Sequence, residues 1–140
     1  MSFMGPVEDR LAIRELIDTY SDAVARRDAD AWIATWTDDA SWDLVGHVVE
    51  GRDAILQTWL GAMGTFDFVA FHAAPGSIEI DGDQAKVRVY VSEVLVPNGG
   101  GLRRVEGAYA DTCRKVDGAW RFSSRAYKIL LDDTKAEGAE

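Results

Sequence analysis

The chain contains a few side chains whose types are suited to moving a proton. His72 is one of two histidines and lies among the apolar residues from Val69 to Ala74. An imidazole in apolar surroundings can have its pKa moved into the working range of a general base. The alternative is a hydrogen-bonded core histidine without a catalytic role. The second histidine, His47, follows Gly46 and is expected in a solvated loop.

Glu93 interrupts an apolar row. In the strand predicted from Ala85, alternation places Glu93 on the same face as Val89 and Val91. A buried carboxylate must find a partner or raise its pKa, because an unpaired buried charge is costly. The alternative is that Glu93 lies near the strand end and reaches water. Glu93 is therefore a candidate catalytic acid or base.

Two further charged residues are candidates to meet across neighbouring strands. Asp111 and Arg125 lie on predicted strand faces that can oppose each other. Their ion pair could be purely structural, or the arginine could stabilise an anionic leaving group. Tyr20 is a candidate hydrogen-bond donor in the same site, and its alternative role is to anchor the first helix.

Aromatic side chains are the candidate walls of a binding pocket. Each of them could equally be an ordinary core residue. The candidates are Trp32, Trp36, Trp42, Phe68, Phe71 and Tyr127.

Composition excludes several classes of function. The 140 residues carry a formal net charge of −9, which disfavours nucleic acid and anionic membrane surfaces as partners. A single cysteine rules out an internal disulfide, and no phosphate-binding loop or HExxH motif is present. Two histidines without supportive spacing predict no metal site. The absence of a signal sequence or apolar span predicts a cytoplasmic protein.

The first half of the chain has helical periodicity. Residues 7–26 form a predicted first helix, and residues 52–63 form a predicted third helix. Between them, Asp28 can cap a short second helix. The apolar side of this second helix is expected to contain Trp32, Ile33 and Trp36. The apolar stripe of the first helix contains Val7, Leu11, Ile13, Leu16, Ile17, Tyr20 and Val24.

The remaining segments alternate with the period of strands. Short strands are predicted at 41–45 and 48–50, followed by strands at 69–72, 77–81, 85–96, 102–116 and 119–131. Hairpin turns are predicted at 81–83, 97–101 and 117–118. Helices followed by long strands predict a single α+β domain over 1–140, with an ordered core of about 7–131. We expect a cone-shaped, curved antiparallel sheet with the helices on its concave face.

Two segments resemble a known family. Asp38-Asp39-Ala40-Ser41-Trp42, following Tyr20 and Asp28, is similar to a segment of the SnoaL-like group in the nuclear transport factor 2-like superfamily, which has a cystatin-like fold. Tyr109-Ala110-Asp111, with the run from Asp117 to Arg125, resembles that group's final hairpin. The resemblance covers about residues 7 to 131.

The resemblance implies a cofactor-free elimination. In the family a histidine, polarised by an aspartate on the first helix, removes a proton while an arginine assists the departing anion. His72 and Arg125 match these positions, and Asp111 matches a carboxylate near the arginine. Ala25 occupies the position of the family's aspartate, and Asp22 is expected to face solvent.

The sequence thus supports two main hypotheses. The first is a cofactor-independent lyase or isomerase (dehydratase-like or dehydrochlorinase-like) acting on a small apolar, aromatic or polycyclic ring compound. The second is a non-catalytic module that binds such a compound. A homo-oligomer, dimer or trimer, is also predicted from an expected outer sheet face that contains Val94, Val96, Ala108, Trp120 and Phe122.

Overall fold

Three helices form the first layer of the protein. The computed structural model describes residues 2–135, and its helices are α1 (Val7–Arg26), α2 (Ala29–Ile33) and α3 (Arg52–Met63). The Asp28 side chain accepts a hydrogen bond of 3.0 Å from the Ala31 amide and so caps α2, as predicted.

A curved seven-stranded sheet forms the second layer, and its strand order is β1-β4-β5-β6-β7-β2-β3. The strands β4 to β7 pair antiparallel in succession. The strand bounds are β1 Phe3–Met4, β2 Trp36–Leu44, β3 His47–Glu50, β4 Phe66–Asp81, β5 Gln84–Pro97, β6 Leu102–Val116 and β7 Ala119–Lys135. The α+β class and the curved sheet are therefore confirmed.

Two pairings depart from the predicted antiparallel sheet. The strand β1 pairs parallel with β4, and β2 pairs parallel with β7. The two-residue β1 is too short to carry a readable alternation, and it precedes the segment predicted to be ordered. Trp36, predicted on the second helix, is instead the first residue of β2.

Irregularities in the strands change which residues face the helices. The strand β7 shifts register between the pairs Thr112–Ser124 and Cys113–Phe122, which leaves Ser123 as an extra residue. The bulge puts Phe122 and Arg125 on the same inner face, although their spacing predicts opposite faces. The prediction of an outer sheet face that includes Trp120 and Phe122 was therefore wrong, since both side chains are buried in the core.

Aromatic side chains fill the space between α1, α2 and the sheet. Trp32 stacks on Trp59 with ring centroids 4.6 Å apart, and Trp36 lies 5.6 Å from Trp42. The Tyr20 ring meets Phe122 edge to face at 5.6 Å. This packing fixes the helices against the sheet, and Tyr20, Trp42 and Trp59 of the cluster also line a cavity beside it.

Candidate functional site

The candidate site is a cavity of about 350 Å³ between α1, α3 and the concave face of the sheet. A volume of this order suits a small organic ligand. Half-buried Arg103 and exposed Ile129 lie where the cavity meets solvent. Most of the wall is apolar, and it includes Val24, Trp42, Leu44, Trp59, Met63, Phe66, Val69, Phe71, Leu95 and Val105.

Glu93 is the acid of this cavity. Burial raises the pKa of its carboxyl to about 7, and the opposing influences of the Arg103 guanidinium and the Tyr127 side chain are weaker. Of the outcomes expected for this residue, a partner, a raised pKa or contact with water, the structure favours the raised pKa. A carboxyl with a pKa near neutrality can both accept and donate a proton under physiological conditions.

The Tyr127 side chain reaches the cavity by crossing a neighbouring strand. Tyr127 lies on β7 opposite Tyr109 of β6, and their ring centroids are 4.8 Å apart. The ring passes over Gly107, where a Cβ atom would meet the Tyr127 Cζ at 2.5 Å. Any side chain at position 107 would therefore push this ring away. Glycine allows the hydroxyl to come near Glu93.

Arg103 is held beside Glu93 by a second acid. Its Nε and Nη2 atoms donate to the two carboxylate oxygens of Asp132 at 3.2 and 2.8 Å. A bidentate pair fixes the plane of the guanidinium as well as its position. The cation consequently stays close enough to Glu93 to lower that carboxyl's pKa.

Three polar aromatic groups line the wall near α1. The Trp42 indole N–H donates to the Tyr109 hydroxyl at 3.3 Å. Burial raises the pKa of Tyr109 well above its ordinary value, and it also raises that of Tyr20. Both phenols therefore keep their protons at neutral pH and can act only as neutral hydrogen-bonding groups.

Asp111 and Arg125 form the ion pair that the strand faces predicted. The two residues are directly opposed across β6 and β7, and the guanidinium donates from Nε at 2.8 Å and Nη2 at 3.0 Å. Arg125 is only 1% exposed, and neither residue lines the cavity. Its Cζ lies 3.8 Å from the Tyr109 ring centroid, 4.1 Å from that of Phe122 and 4.5 Å from that of Tyr20. This enclosure favours the structural alternative for the pair.

His72 lies on the opposite side of the sheet from the cavity. Its neighbour Phe71 is buried and lines the cavity, so alternation turns His72 outward, where it is exposed. The expectation of an imidazole in apolar surroundings was wrong. On α1, Ala25 and Asp22 are also exposed, and Asp22 pairs with Arg26 at 2.9 Å.

The other predicted residues divide between cavity and core. Tyr20, Trp42, Phe71 and Tyr127 line the cavity. Trp32 and Trp36 are fully buried and are not among its lining residues, whereas Phe68 is 53% exposed. The two tryptophans therefore have the core role that was the alternative for each of them.

Sequence reasoning missed several lining residues. Arg103 shares the inner face of β6 with Val105 and Tyr109, so extending that alternation by one step would have found it. Trp59 of α3 also lines the cavity and was not among the predicted wall residues. Asp132 lies on a part of β7 beyond the predicted strand end.

Two further features bear on the class of site. Among residues 2–135, no group of three or more histidine, cysteine, aspartate or glutamate side chains is arranged to hold a metal ion. Over the same residues, none of the helices has both the length and the hydropathy needed to cross a bilayer.

The sequence of this chain matches the model of a known protein family. A family model described as the SnoaL-like domain matches residues 6–126, and the chain belongs to this family within the nuclear transport factor 2-like superfamily. The uncharacterized protein Rv2910c of Mycobacterium tuberculosis (strain ATCC 25618 / H37Rv) is 33% identical over 99 residues, which span 69% of this chain and 67% of that protein. The uncharacterized protein Mb2934c of Mycobacterium bovis matches with the same figures.

Solved structures share the whole architecture. A protein of Novosphingobium aromaticivorans assigned as a scytalone dehydratase has a TM-score of 0.85 and 24% identity, covering 95% of this chain and 91% of its own. A second protein of that organism, assigned as an aromatic ring hydroxylase, has a TM-score of 0.84 and 27% identity, covering 94% and 96%. The hexachlorocyclohexane dehydrochlorinase LinA-type3 of Novosphingobium barchaimii LL02 has a TM-score of 0.83 and 18% identity, covering 91% and 90%. Because these names differ, the likeness identifies the fold and leaves the reaction to be argued from the site.

Proposed function

We propose that this protein is a cofactor-independent lyase or isomerase that acts on a small, largely apolar ring compound. The observation that carries the proposal is Glu93, a carboxyl with a pKa near 7 on the wall of an apolar cavity. Dehydratases and dehydrochlorinases among proteins of similar fold are consistent with proton removal from carbon.

Glu93 takes the role first expected for His72. Its carboxylate would accept a proton from a ring carbon, and the electrons of the broken C–H bond would form a new double bond. In elimination, the leaving group on the adjacent carbon departs with its bonding electrons. In isomerisation, the protonated carboxyl returns the proton to a different carbon. The apolar wall around Glu93 strengthens such a base, because burial disfavours the ionised form that proton transfer neutralises.

The proposal is tested with a panel of ring compounds that can be dehydrated, dehydrochlorinated or isomerised. We expect Glu93→Gln to lower kcat on a converted compound at least about 100-fold, the smaller end of the usual range for a lost acid–base group. His72→Ala and Glu79→Gln are matched controls, because both residues are exposed and lie outside the cavity. Unchanged turnover in Glu93→Gln would contradict the assignment of this residue.

The second candidate function is binding of the same class of compound without turnover. The closed Asp111–Arg125 pair favours it, because the arginine expected to assist a departing anion is already occupied and lies outside the cavity. This alternative predicts ligand binding without conversion of any panel compound. The homo-oligomer expected from the sequence remains a prediction, for which sedimentation at micromolar concentration is the direct measurement.

A further inference from the structure

One part of the cavity wall is thin. The segment 63–66 connects the end of α3 to the start of β4, and Met63, Thr65 and Phe66 of this segment all line the cavity. Thr65 is at the same time exposed to solvent, and so is Ala62 in the last turn of α3, which also lines the cavity. A single layer of chain therefore separates the cavity from water here.

Arg27 holds both ends of this segment. Its guanidinium donates from Nη1 to the Met63 carbonyl oxygen at 2.9 Å and from Nη2 to the Phe66 carbonyl oxygen at 2.7 Å. Carbonyl groups at a helix C-terminus lack partners within the helix, and a cation is a favourable partner for them. Arg27 itself ends α1 with a φ of 54°, in the left-handed region where glycine is the usual residue. The arginine gives the segment two hydrogen bonds that a glycine could not.

Asn98 holds the middle of the segment. It lies in the turn between β5 and β6, and its side-chain amide donates to the Gly64 carbonyl oxygen at 2.7 Å. Its backbone amide donates to the Thr65 carbonyl oxygen at 3.0 Å. Four successive carbonyl oxygens are thus bonded to two residues from other parts of the chain. Arg27 and Asn98 are both exposed, so water can replace these bonds when the segment moves.

The end of α3 depends on such external bonds. Gly61 lies in its last turn, and glycine destabilises a helix relative to alanine. Gly64 caps the helix with a φ of −65°, without the left-handed conformation that closes many helices. The middle of α3 is anchored more firmly, because Trp59 stacks on the buried Trp32. The helix can therefore open at its C-terminal end while the rest stays packed.

The segment also borders an apolar route into the cavity. Its Met63 and Phe66 side chains present hydrocarbon to a passing molecule. The opening beside Ile129 is instead bordered by Arg103, which forms an ion pair with Asp132. Removing water from charged groups is unfavourable, so the apolar route suits an apolar molecule better.

We propose that the segment 63–66 is a gate through which apolar ligands exchange with the cavity, and that Arg27 and Asn98 are its latch. The inference rests on the proposed function in one respect, which is that an apolar compound occupies this cavity. The latch bonds hold the gate closed whether the cavity is empty or filled. Breaking them therefore speeds entry and exit alike and leaves the affinity unchanged.

Stopped-flow fluorescence with the apolar probe N-phenyl-1-naphthylamine tests the gate, because Trp42 and Trp59 on the cavity wall can transfer excitation energy to the bound probe. We expect Arg27→Met to raise the association and dissociation rate constants at least about fivefold each, since two bonds from a charged donor are lost. Asn98→Ala removes one bond and should raise both at least about twofold. Arg10→Met is the matched control, because it removes a guanidinium bond to a backbone carbonyl outside the cavity.

Gly61→Ala should act in the opposite direction. A Cβ at this position would meet open space, so the change strengthens the last turn of α3 without a clash. We expect both rate constants to fall at least about threefold. Rate constants that stay unchanged in Arg27→Met and Asn98→Ala would place ligand entry at the opening beside Ile129. A change in the dissociation rate constant alone, or a wild-type protein that does not bind the probe, would also overturn the inference.

Hydrogen exchange of backbone amides tests the gate without a ligand. The Gly64 amide donates to the Leu60 carbonyl oxygen at the end of α3, and the Ile55 amide donates to the Gly51 carbonyl oxygen at its start, both at 3.0 Å. Arg27→Met should speed exchange at Gly64 at least about fivefold and leave Ile55 unchanged. Equal acceleration at the two amides would mean a general loss of stability and would contradict the gate. Because neither measurement involves turnover, failure of the gate and failure of the lyase proposal are separable.

Discussion

Asp111 and Arg125 hold each other across adjacent strands, and three aromatic rings enclose the guanidinium. Both donor–acceptor distances lie within 3.0 Å, and both side chains are almost completely buried. The pair connects the cavity wall at Tyr109 with the core at Phe122, since its cation lies against both rings. It is therefore a structural tie between the two halves of the inner face.

Asp111→Ala is expected to destabilise the protein by about 3 to 5 kcal/mol, because it leaves Arg125 buried without a counter-charge. The free energy of unfolding in urea measures the loss. The double change Asp111→Leu with Arg125→Met should recover most of it, since an apolar pair has no charge to desolvate. Asp22→Ala removes an exposed ion pair and is expected to have little effect. A loss no larger than that control's would refute the structural role.

The raised pKa of Glu93 predicts a pH-dependent stability. The folded protein keeps this proton up to about pH 7, whereas the unfolded chain releases it near its ordinary pKa of 4.5. Between these values the folded state binds more protons, so stability falls as pH rises. The shift corresponds to at most about 3 kcal/mol.

Urea unfolding from pH 5 to pH 8 tests this linkage. Glu93→Gln should lose the fall and become more stable than the wild type at pH 8. Glu79→Gln removes an exposed carboxyl of the same type and should follow the wild-type curve. Parallel curves for the wild type and Glu93→Gln would show that the carboxyl titrates normally in the folded state.

Removal of the cation at position 103 should raise the pKa of Glu93 above 7. The Arg103 guanidinium favours the ionised carboxyl, so Arg103→Met removes a stabilising charge from the carboxylate. The pH dependence of the Glu93 carboxyl carbon shift in NMR measures the change. Arg104→Met changes the net charge equally at an exposed position of the same strand. A midpoint that moves downward, or equally in both variants, would argue against direct action of Arg103.

Gly107→Ala is expected to cost about 1 to 3 kcal/mol, the usual range for overpacking, because the added methyl group displaces the Tyr127 ring. The same substitution in a Tyr127→Ala background should cost much less, and a double-mutant cycle measures the difference. Gly99→Ala, at a hairpin tip with open space around it, is the control. Equal costs in the two backgrounds would mean that the ring is not the obstacle.

The elements of this fold were predictable from sequence because their signals are local. The helices α1 and α3 and the strand β6 begin and end as their periodicity and turn residues predicted. Face assignments were less predictable, because they require continuous alternation. The extra residue at Ser123 reverses the faces along β7, and no residue type announces it.

The residue types of the candidate site were easier to predict from the sequence than the positions of those residues in the fold. Glu93 was identifiable because a charge in an apolar row requires an explanation. His72 was misplaced because its apolar neighbours do not reveal which sheet face they occupy, and only pairing with Ser92 of β5 sets that orientation. Asp132 could not be assigned, because its partner Arg103 is 29 residues away and the two meet only through a long hairpin.

The bulge at Ser123 divides β7 into two parts that differ in how well they tolerate substitution. Before it, Trp120 and Phe122 belong to a packed core in which nearly every change of volume is felt. After it, Tyr127 and Ile129 face a space that has room for substitution. One strand therefore combines a tightly packed segment of the core with a segment that lines the cavity, so a substitution after the bulge can change what the cavity accepts without disturbing the core packing before it.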